Sequence, residues 1–165
     1  MNENMFIDVD NLEKLRVLLL EKNYKIFLAE SMSGGFISGF LSQLEGASMF
    51  FLGGVVCYSS QVKQQLLGVS STMIENFTAE SQEVTDCLLL GLKNIQQADI
   101  YISITGLSGP GGSESAEKPI GTVFLSFEIE GVHYRKTKIC NAQNSSAVVT
   151  ETFNWLIGEI LKRIK

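Results

Sequence analysis

The chain has 165 residues, of which 45% are hydrophobic and 19% are charged, a balance typical of a soluble globular protein. This length fits one domain with a full hydrophobic core, and we assign residues 1–165 to a single domain. The formal net charge of −5 argues against a nucleic-acid-binding surface. Three scattered cysteines, Cys57, Cys87 and Cys140, favour a reducing compartment and free thiols. Since no signal segment or membrane-spanning run is present, we predict a cytoplasmic protein that contacts no membrane.

Predicted helices and strands alternate along most of the chain. In order they are a helix over 11–22, a strand over 25–29, a helix from Ser33, a strand over 53–58, a helix from Ser59 or Ser60 to Leu67, a helix from Thr78 or Ser81 to about Gln97, a strand over 99–105, a hairpin of strands over 121–130 and 133–140, and a last helix over 144–165. This order predicts an α/β fold, a three-layer α/β/α arrangement with a mixed sheet.

Two glycine-rich turns each follow an apolar run. The first covers residues 28–35 (Leu-Ala-Glu-Ser-Met-Ser-Gly-Gly) and the second covers residues 105–112 (Thr-Gly-Leu-Ser-Gly-Pro-Gly-Gly). Turns of this composition expose backbone N–H groups and allow a ligand close to the main chain. Either turn alone is equally well explained as a tight connection. Both would lie at carboxyl ends of strands, where ligands of such folds bind, and together they indicate a site for an anionic or carbonyl-bearing small molecule.

The segment from Gly53 to Lys63 places a tyrosine and a lysine near the same predicted edge. If Tyr58 ends a strand and Lys63 lies in the first turns of a helix, both side chains reach one cleft. The helix dipole and desolvation would lower the pKa of Lys63, so that it could serve as a general base. The alternative is a solvated surface lysine and a tyrosine that belongs to the core.

Candidate nucleophiles are Ser31, Ser33, Ser48 and Thr105. There is no G-x-S-x-G elbow, and the single histidine, His133, falls in the predicted hairpin, so a Ser-His-Asp triad is not expected. A serine–lysine pair is the better form of a hydrolase hypothesis. No metal-binding or cofactor motif is present, and we predict neither a metal nor a cofactor. Glu30 would either bind a substrate amide or accept backbone N–H groups of its own turn.

Taken together, these segments resemble the CinA C-terminal domain family, whose stand-alone members include nicotinamide-nucleotide amidases. The resemblance extends from about Leu28 to Thr122. The matching segments are Ala29-Glu30-Ser31 with Gly34-Gly35, Gly46-Ala47-Ser48, Gly53-Gly54-Val55-Val56, Tyr58-Ser59, Lys63, Leu67-Gly68-Val69, Thr105-Gly106, Gly109-Pro110-Gly111-Gly112 and Lys118-Pro119-Ile120-Gly121-Thr122.

The resemblance implies hydrolysis of the carboxamide of nicotinamide mononucleotide to nicotinic acid mononucleotide and ammonia, without a metal. It implies Ser48 as the favoured nucleophile with Ser31 as its rival, Lys63 as the base and Tyr58 as a helper. It also implies that the two turns bind the phosphate and ribose or supply oxyanion donors. The substrate-binding residues expected on this basis are Glu30, Ser33, Gly34, Gly35, Thr105, Gly106, Gly109 and Gly111.

The chain departs from the pattern of the family at a few positions. Met32 and Ser33 stand where cysteine and threonine are common, and Gln143 stands where many relatives have an arginine. Loss of a bidentate phosphate partner would weaken binding of a mononucleotide. A second hypothesis is therefore a catalytically inactive nucleotide-binding or interaction module of the same fold. We also expect a homo-oligomer. The apolar run 49–52 would favour self-association if it is exposed, and the favoured alternative is that this run belongs to the ordinary core.

Overall fold

Five strands form one mixed sheet in the computed structural model, which describes residues 6–142 and 144–164. The strands are β1 (Ile26–Glu30), β2 (Phe51–Val56), β3 (Ile100–Gly106), β4 (Thr122–Ile129) and β5 (Val132–Ile139). The helices are α1 (Val9–Glu21), α2 (Phe36–Ser42), α3 (Ser60–Leu67), α4 (Ser71–Phe77), α5 (Gln82–Ile95) and α6 (Ser145–Leu161), and a 3₁₀ turn covers Ala47–Met49.

The strand order is β2-β1-β3-β4-β5. Strand β1 lies next to the edge strand β2 and pairs in parallel with both β2 and β3, whereas β4 and β5 complete the sheet with antiparallel pairs. The hairpin predicted about Gly131 is present, and His133 lies on the edge strand β5. The parallel half matters for function, because the carboxyl ends of β1, β2 and β3 meet at one edge of the sheet.

Helices cover both faces of the sheet and make the predicted three-layer α/β/α fold. On one face, Leu15, Leu19, Leu28 and Phe153 belong to a large core shared by α1, α2, α6 and the sheet. On the other face, Phe27, Leu88 and Leu92 belong to a smaller core with α3 and α5. Alternate residues of β1 enter the two cores because side chains alternate along a strand, which explains why the whole strand is buried.

Polar residues set the starts of three helices as the sequence predicts, whereas α1 begins at Val9 with Asp8 as its N-cap, two residues before the predicted start. The hydroxyl oxygens of Ser59 and Ser81 and the side-chain oxygen of Asn144 accept the N–H bonds that cap α3, α5 and α6. Helix α2 differs from the prediction, because its N-cap is Gly35 and the hydroxyl of Ser33 bonds elsewhere. No described helix has the length and apolar character needed to cross a bilayer.

Candidate active site

Two consecutive strand-to-helix junctions bring Ser31 and Lys63 together. Glu30, the last residue of β1, pairs with Val56 at the end of β2, so Ser31 lies beside Cys57 and Tyr58. The chain then turns into α3, whose first turns carry Lys63 back toward β1. The two residues are separated by 32 positions in sequence. The contact therefore depends on parallel pairing of β1 with β2.

The ammonium nitrogen of Lys63 is buried against three oxygens. Its Nζ lies 2.8 Å from Oγ of Ser31, 2.8 Å from the carbonyl oxygen of Cys57 and 3.1 Å from that of Tyr58. The residue is 0% exposed. Desolvation lowers the pKa of Lys63 below its ordinary value, although Cys57 and, to a lesser degree, Glu80 act in the opposite direction. This is the environment of a lysine that can give up its proton.

The three contacts suit a neutral amine as well as an ammonium ion. A protonated Lys63 has three N–H groups and donates to all three oxygens. A neutral Lys63 has two N–H groups, which the carbonyls of Cys57 and Tyr58 accept, and a lone pair that faces Ser31. In that state the hydroxyl of Ser31 donates to Nζ, which is the arrangement needed to activate a serine.

Ser31 opens into a cavity of about 300 Å³ at this edge of the sheet. Both glycine turns contribute to its wall, and the side chain of Tyr58 is 69% exposed beside it. The cavity adjoins two others that share Ser108 and Ser145 with it and extend along the first turn of α6. A larger groove of about 730 Å³ lies between α1 and α6 and contains none of the predicted site residues.

The structure assigns Glu30 to its own turn instead of to a ligand. Its side chain is 0% exposed, and both carboxylate oxygens are used. One oxygen accepts from Oγ of Ser33 at 2.7 Å and from the N–H groups of Gly35 and Ile37, and the other accepts from N and Oγ of Ser38 at 2.8 and 2.6 Å. The expectation that Glu30 contacts substrate is corrected, because this carboxylate holds the start of α2.

Ser48 does not share a pocket with Lys63, contrary to the favoured assignment. It lies exposed in the 3₁₀ turn that precedes β2, whereas Lys63 follows the carboxyl end of that strand. The six residues of β2 separate the two by roughly 20 Å at about 3.3 Å per residue. Of the two rival serines, only Ser31 is within hydrogen-bond distance of Lys63.

The remaining predicted residues divide between the cavity wall and the supporting structure. Gly106, Gly109 and Gly111 line the cavity, and Ser33 lines the adjoining one. Three predicted ligand contacts are corrected. Thr105 is buried with its hydroxyl 2.7 Å from that of Thr85, and Gly34 and Gly35 shape the first turn with φ of 60° and 100° without lining any of the three cavities.

Two residues that line the cavity, Glu80 and Ser145, were missed by the sequence analysis. Glu80 lies between α4 and α5 and lines the same cavity as Ser31. Sequence reasoning treated residues 78–81 only as a helix start, and no local pattern shows that this connection reaches the site. Helix α4 was also missed, because its seven residues carry no buried face and give no amphipathic signal. Gln143, the position of the missing arginine, lies outside the described residues.

Comparison with known proteins gives one consistent relationship. The model of the CinA C-terminal domain matches residues 10–160. A CinA-like protein of Thermotoga sp. strain RQ2 is 39% identical over 131 residues, which are 78% of this chain and 32% of that protein. A putative competence-damage inducible protein of Alkaliphilus oremlandii is 36% identical over 159 residues, which are 94% of this chain and 38% of that protein. The chain thus spans about a third of the length of these curated relatives.

Solved structures agree with the observed architecture. The competence or damage-inducible protein of Enterobacter asburiae superposes with a TM-score of 0.89 at 28% identity, over 97% of this chain and 99% of that one. A CinA superfamily protein of Enterobacter cloacae gives a TM-score of 0.88 at 27% identity, over 100% of this chain and 96% of that one. The three-layer fold with its mixed sheet is therefore the fold of these proteins.

Proposed function

Since this chain belongs to the CinA C-terminal domain family, we propose that it is a serine–lysine amidohydrolase that deamidates nicotinamide mononucleotide. The observation that carries the proposal is the 2.8 Å contact between Nζ of a fully buried Lys63 and Oγ of Ser31. A buried amine of lowered pKa beside a serine hydroxyl at a cavity wall is a nucleophile with its base in place. In this proposal Ser31 replaces Ser48 as the nucleophile.

The reaction proceeds in two halves. Oγ of Ser31 attacks the carboxamide carbon while its proton passes to Nζ of Lys63. The tetrahedral intermediate then collapses, the C–N bond breaks, and the Lys63 ammonium gives its proton to the leaving nitrogen, which departs as ammonia. Water next attacks the resulting ester, with Lys63 taking its proton, and the proton returns to Oγ of Ser31 as the carboxylic acid leaves. Lys63 ends each half in its starting state.

Backbone donors for the developing oxyanion are available beside Ser31. The N–H groups of Met32 and Ser33 have no hydrogen-bond acceptor among the residues that the structure describes. Fixed donors at the site of charge development supply much of the rate acceleration in acyl transfer. We assign the oxyanion to these groups, and the ribose and phosphate to the second turn and the start of α6. The hydroxyl of exposed Tyr58 is assigned to the substrate, because Lys63 contacts only its backbone carbonyl.

Ammonia release from nicotinamide mononucleotide tests this function directly. The native chain is compared with Ser31→Ala and with Ser48→Ala, a matched serine substitution at the opposite edge of the sheet. We expect release by the native chain and by Ser48→Ala, and none above background by Ser31→Ala. Equal background release by all three proteins would favour the inactive nucleotide-binding module instead.

A further inference from the structure

Among the described residues that line the cavity of Ser31, Glu80 is the one with a carboxylate side chain. Glu80 lines this cavity, and its Oε2 accepts a hydrogen bond of 2.6 Å from Oγ of Ser113. Within residues 6–142 and 144–164, no lysine, arginine or histidine forms an ion pair with this carboxylate. Its charge also acts on the buried Lys63, where it opposes in small part the desolvation that lowers the pKa. The carboxylate therefore contributes negative potential to the wall of the proposed active site, although the ammonium of Lys118, which donates to the same Ser113 hydroxyl, offsets part of it.

The position of Glu80 is fixed by a cluster of hydrogen bonds around Lys118. The ammonium group of Lys118 donates to Oγ1 of Thr78 at 2.6 Å, to Oγ of Ser113 at 2.6 Å and to the backbone carbonyl of Glu80 at 3.0 Å. All three acceptors are uncharged. This cluster ties the loop after the second glycine turn to the connection between α4 and α5, and it supports the side chain of Glu80 from both segments.

The backbone at this connection is strained, which is consistent with a constrained position. Thr78 has φ of 69° and ψ of 159°, a region that is nearly restricted to glycine. A non-glycine residue persists there only when its surroundings hold it. Its hydroxyl accepts from Lys118 and lies 3.1 Å from Oγ of Ser113, whose single proton is donated to Glu80, and its carbonyl accepts from Oγ of Ser81. The strain is thus balanced by contacts that also place Glu80.

Groups that favour a cation and groups that favour an anion lie at different ends of the joined cavities. Glu80 borders the cavity of Ser31, whereas the two adjoining cavities lie along the first turn of α6 and do not include Glu80. A helix N-terminus favours negative groups and a carboxylate favours positive ones. This order suits a ligand that carries a cation at the reacting end and an anion at the other.

We propose that Glu80 is a specificity-determining residue that selects a carboxamide on a positively charged, N-substituted pyridinium ring over the same amide on an uncharged ring. This inference rests on the proposed amidase function and adds a reason for substrate choice that Ser31 and Lys63 do not supply. A carboxylate at a partly exposed wall discriminates between a cationic and a neutral ligand by up to about fivefold.

The test uses two ligands that differ in ring charge. Oxidised nicotinamide mononucleotide has a pyridinium ring, and its reduced form has an uncharged dihydropyridine ring with the same amide, ribose and phosphate. Dissociation constants are measured by calorimetry in the Ser31→Ala background, which prevents turnover. We expect tighter binding of the oxidised form by about threefold to fivefold, and loss of most of this preference after adding Glu80→Gln.

Controls separate this inference from its alternatives. Glu117→Gln removes one negative charge from an exposed position in the loop after the second glycine turn. This variant is expected to leave the ligand preference unchanged. Glu80→Asp keeps the charge and should retain a preference that Glu80→Gln loses, with melting temperatures confirming that each variant is folded. An unchanged preference in Glu80→Gln, or failure of both ligands to bind, would overturn the proposal. If the ring preference is retained but the native protein, with Ser31 in place, releases no ammonia, only the amidase function is refuted.

Discussion

Replacement of Lys63 by methionine separates the chemical role of the amine from its structural role. Methionine fills a similar volume without a proton-accepting group, so the general base is lost while the packing around α3 is largely kept. General-base catalysis contributes about 10²- to 10⁴-fold, and kcat/KM for ammonia release should fall by that factor. The carbonyls of Cys57 and Tyr58 lose a donor at 2.8 and 3.1 Å, which we expect to reduce the free energy of unfolding by about 1–3 kcal/mol.

The pH dependence adds a second, independent readout for this variant. Only the neutral amine accepts a proton, so kcat/KM of the native chain should rise with pH through a pKa below 10.5. The unfolded chain binds more protons at Lys63 than the folded chain between that lowered pKa and 10.5. The native protein should therefore gain stability relative to Lys63→Met as pH rises through this window, and the relative gain should be absent below it.

Ammonia release and urea denaturation at several pH values measure both effects. Lys14→Met, which removes an exposed lysine of α1, serves as the matched control and should leave kcat/KM unchanged. Retention of more than about a tenth of the native kcat/KM by Lys63→Met would refute the role of this amine, since a lost base costs at least about a hundredfold. If the difference in unfolding free energy between the native protein and Lys63→Met did not change with pH, the lowered pKa of Lys63 would be refuted.

Three further predictions follow from the geometry. Ser31→Ala should lower kcat for ammonia release at least about a thousandfold, with Ser48→Ala near the native value, and the reverse ranking would restore Ser48. Gly91→Ala should destabilise by about 1–3 kcal/mol in urea denaturation, because a Cβ would overlap the backbone carbonyl oxygen of Leu67 at the end of α3. Gly158→Ala, which meets nothing within 4 Å in α6, should stabilise by about 0.5–1 kcal/mol, and equal signs at the two glycines would contradict the packing. Glu30→Gln should lose about 2–4 kcal/mol, measured in the same way, because an amide cannot accept all five hydrogen bonds.

Local signals predict most of the fold. The two periodicities distinguish helices from strands, and serines placed before apolar runs mark the starts of α3 and α5 correctly. These features are short-range, so they can be recognised without tertiary information. Helix α4 escapes recognition because it buries no residue that would give it a periodic apolar face.

The candidate site could be predicted only in part, because its geometry is long-range. The turn at Ser31 and the lysine at position 63 are visible in sequence, but only the pairing of β1 with β2 decides which serine meets that lysine. Ser48 lies before the start of β2 and Ser31 lies at the opposite end of the neighbouring strand. Matching of sequence segments does not reveal this separation. The hydrogen bonds that occupy the Glu30 carboxylate likewise depend on five donors from its own turn, which the folded chain brings back to it. Among these donors, only those of the serines and the glycine are conspicuous in sequence.

Strand β2 lies at the border of the sheet and has a single strand neighbour, β1, yet Lys63 follows directly from it. Border strands open more readily than central ones, in partial unfolding events that leave the rest of the molecule intact. Detachment of β2 would withdraw the amine from Ser31 while α1, α6 and the hairpin remained folded. Enzymatic activity would then be lost at a lower denaturant concentration than the one at which the core unfolds cooperatively. A catalytic assay would therefore detect the detachment of β2 before spectroscopy detects unfolding.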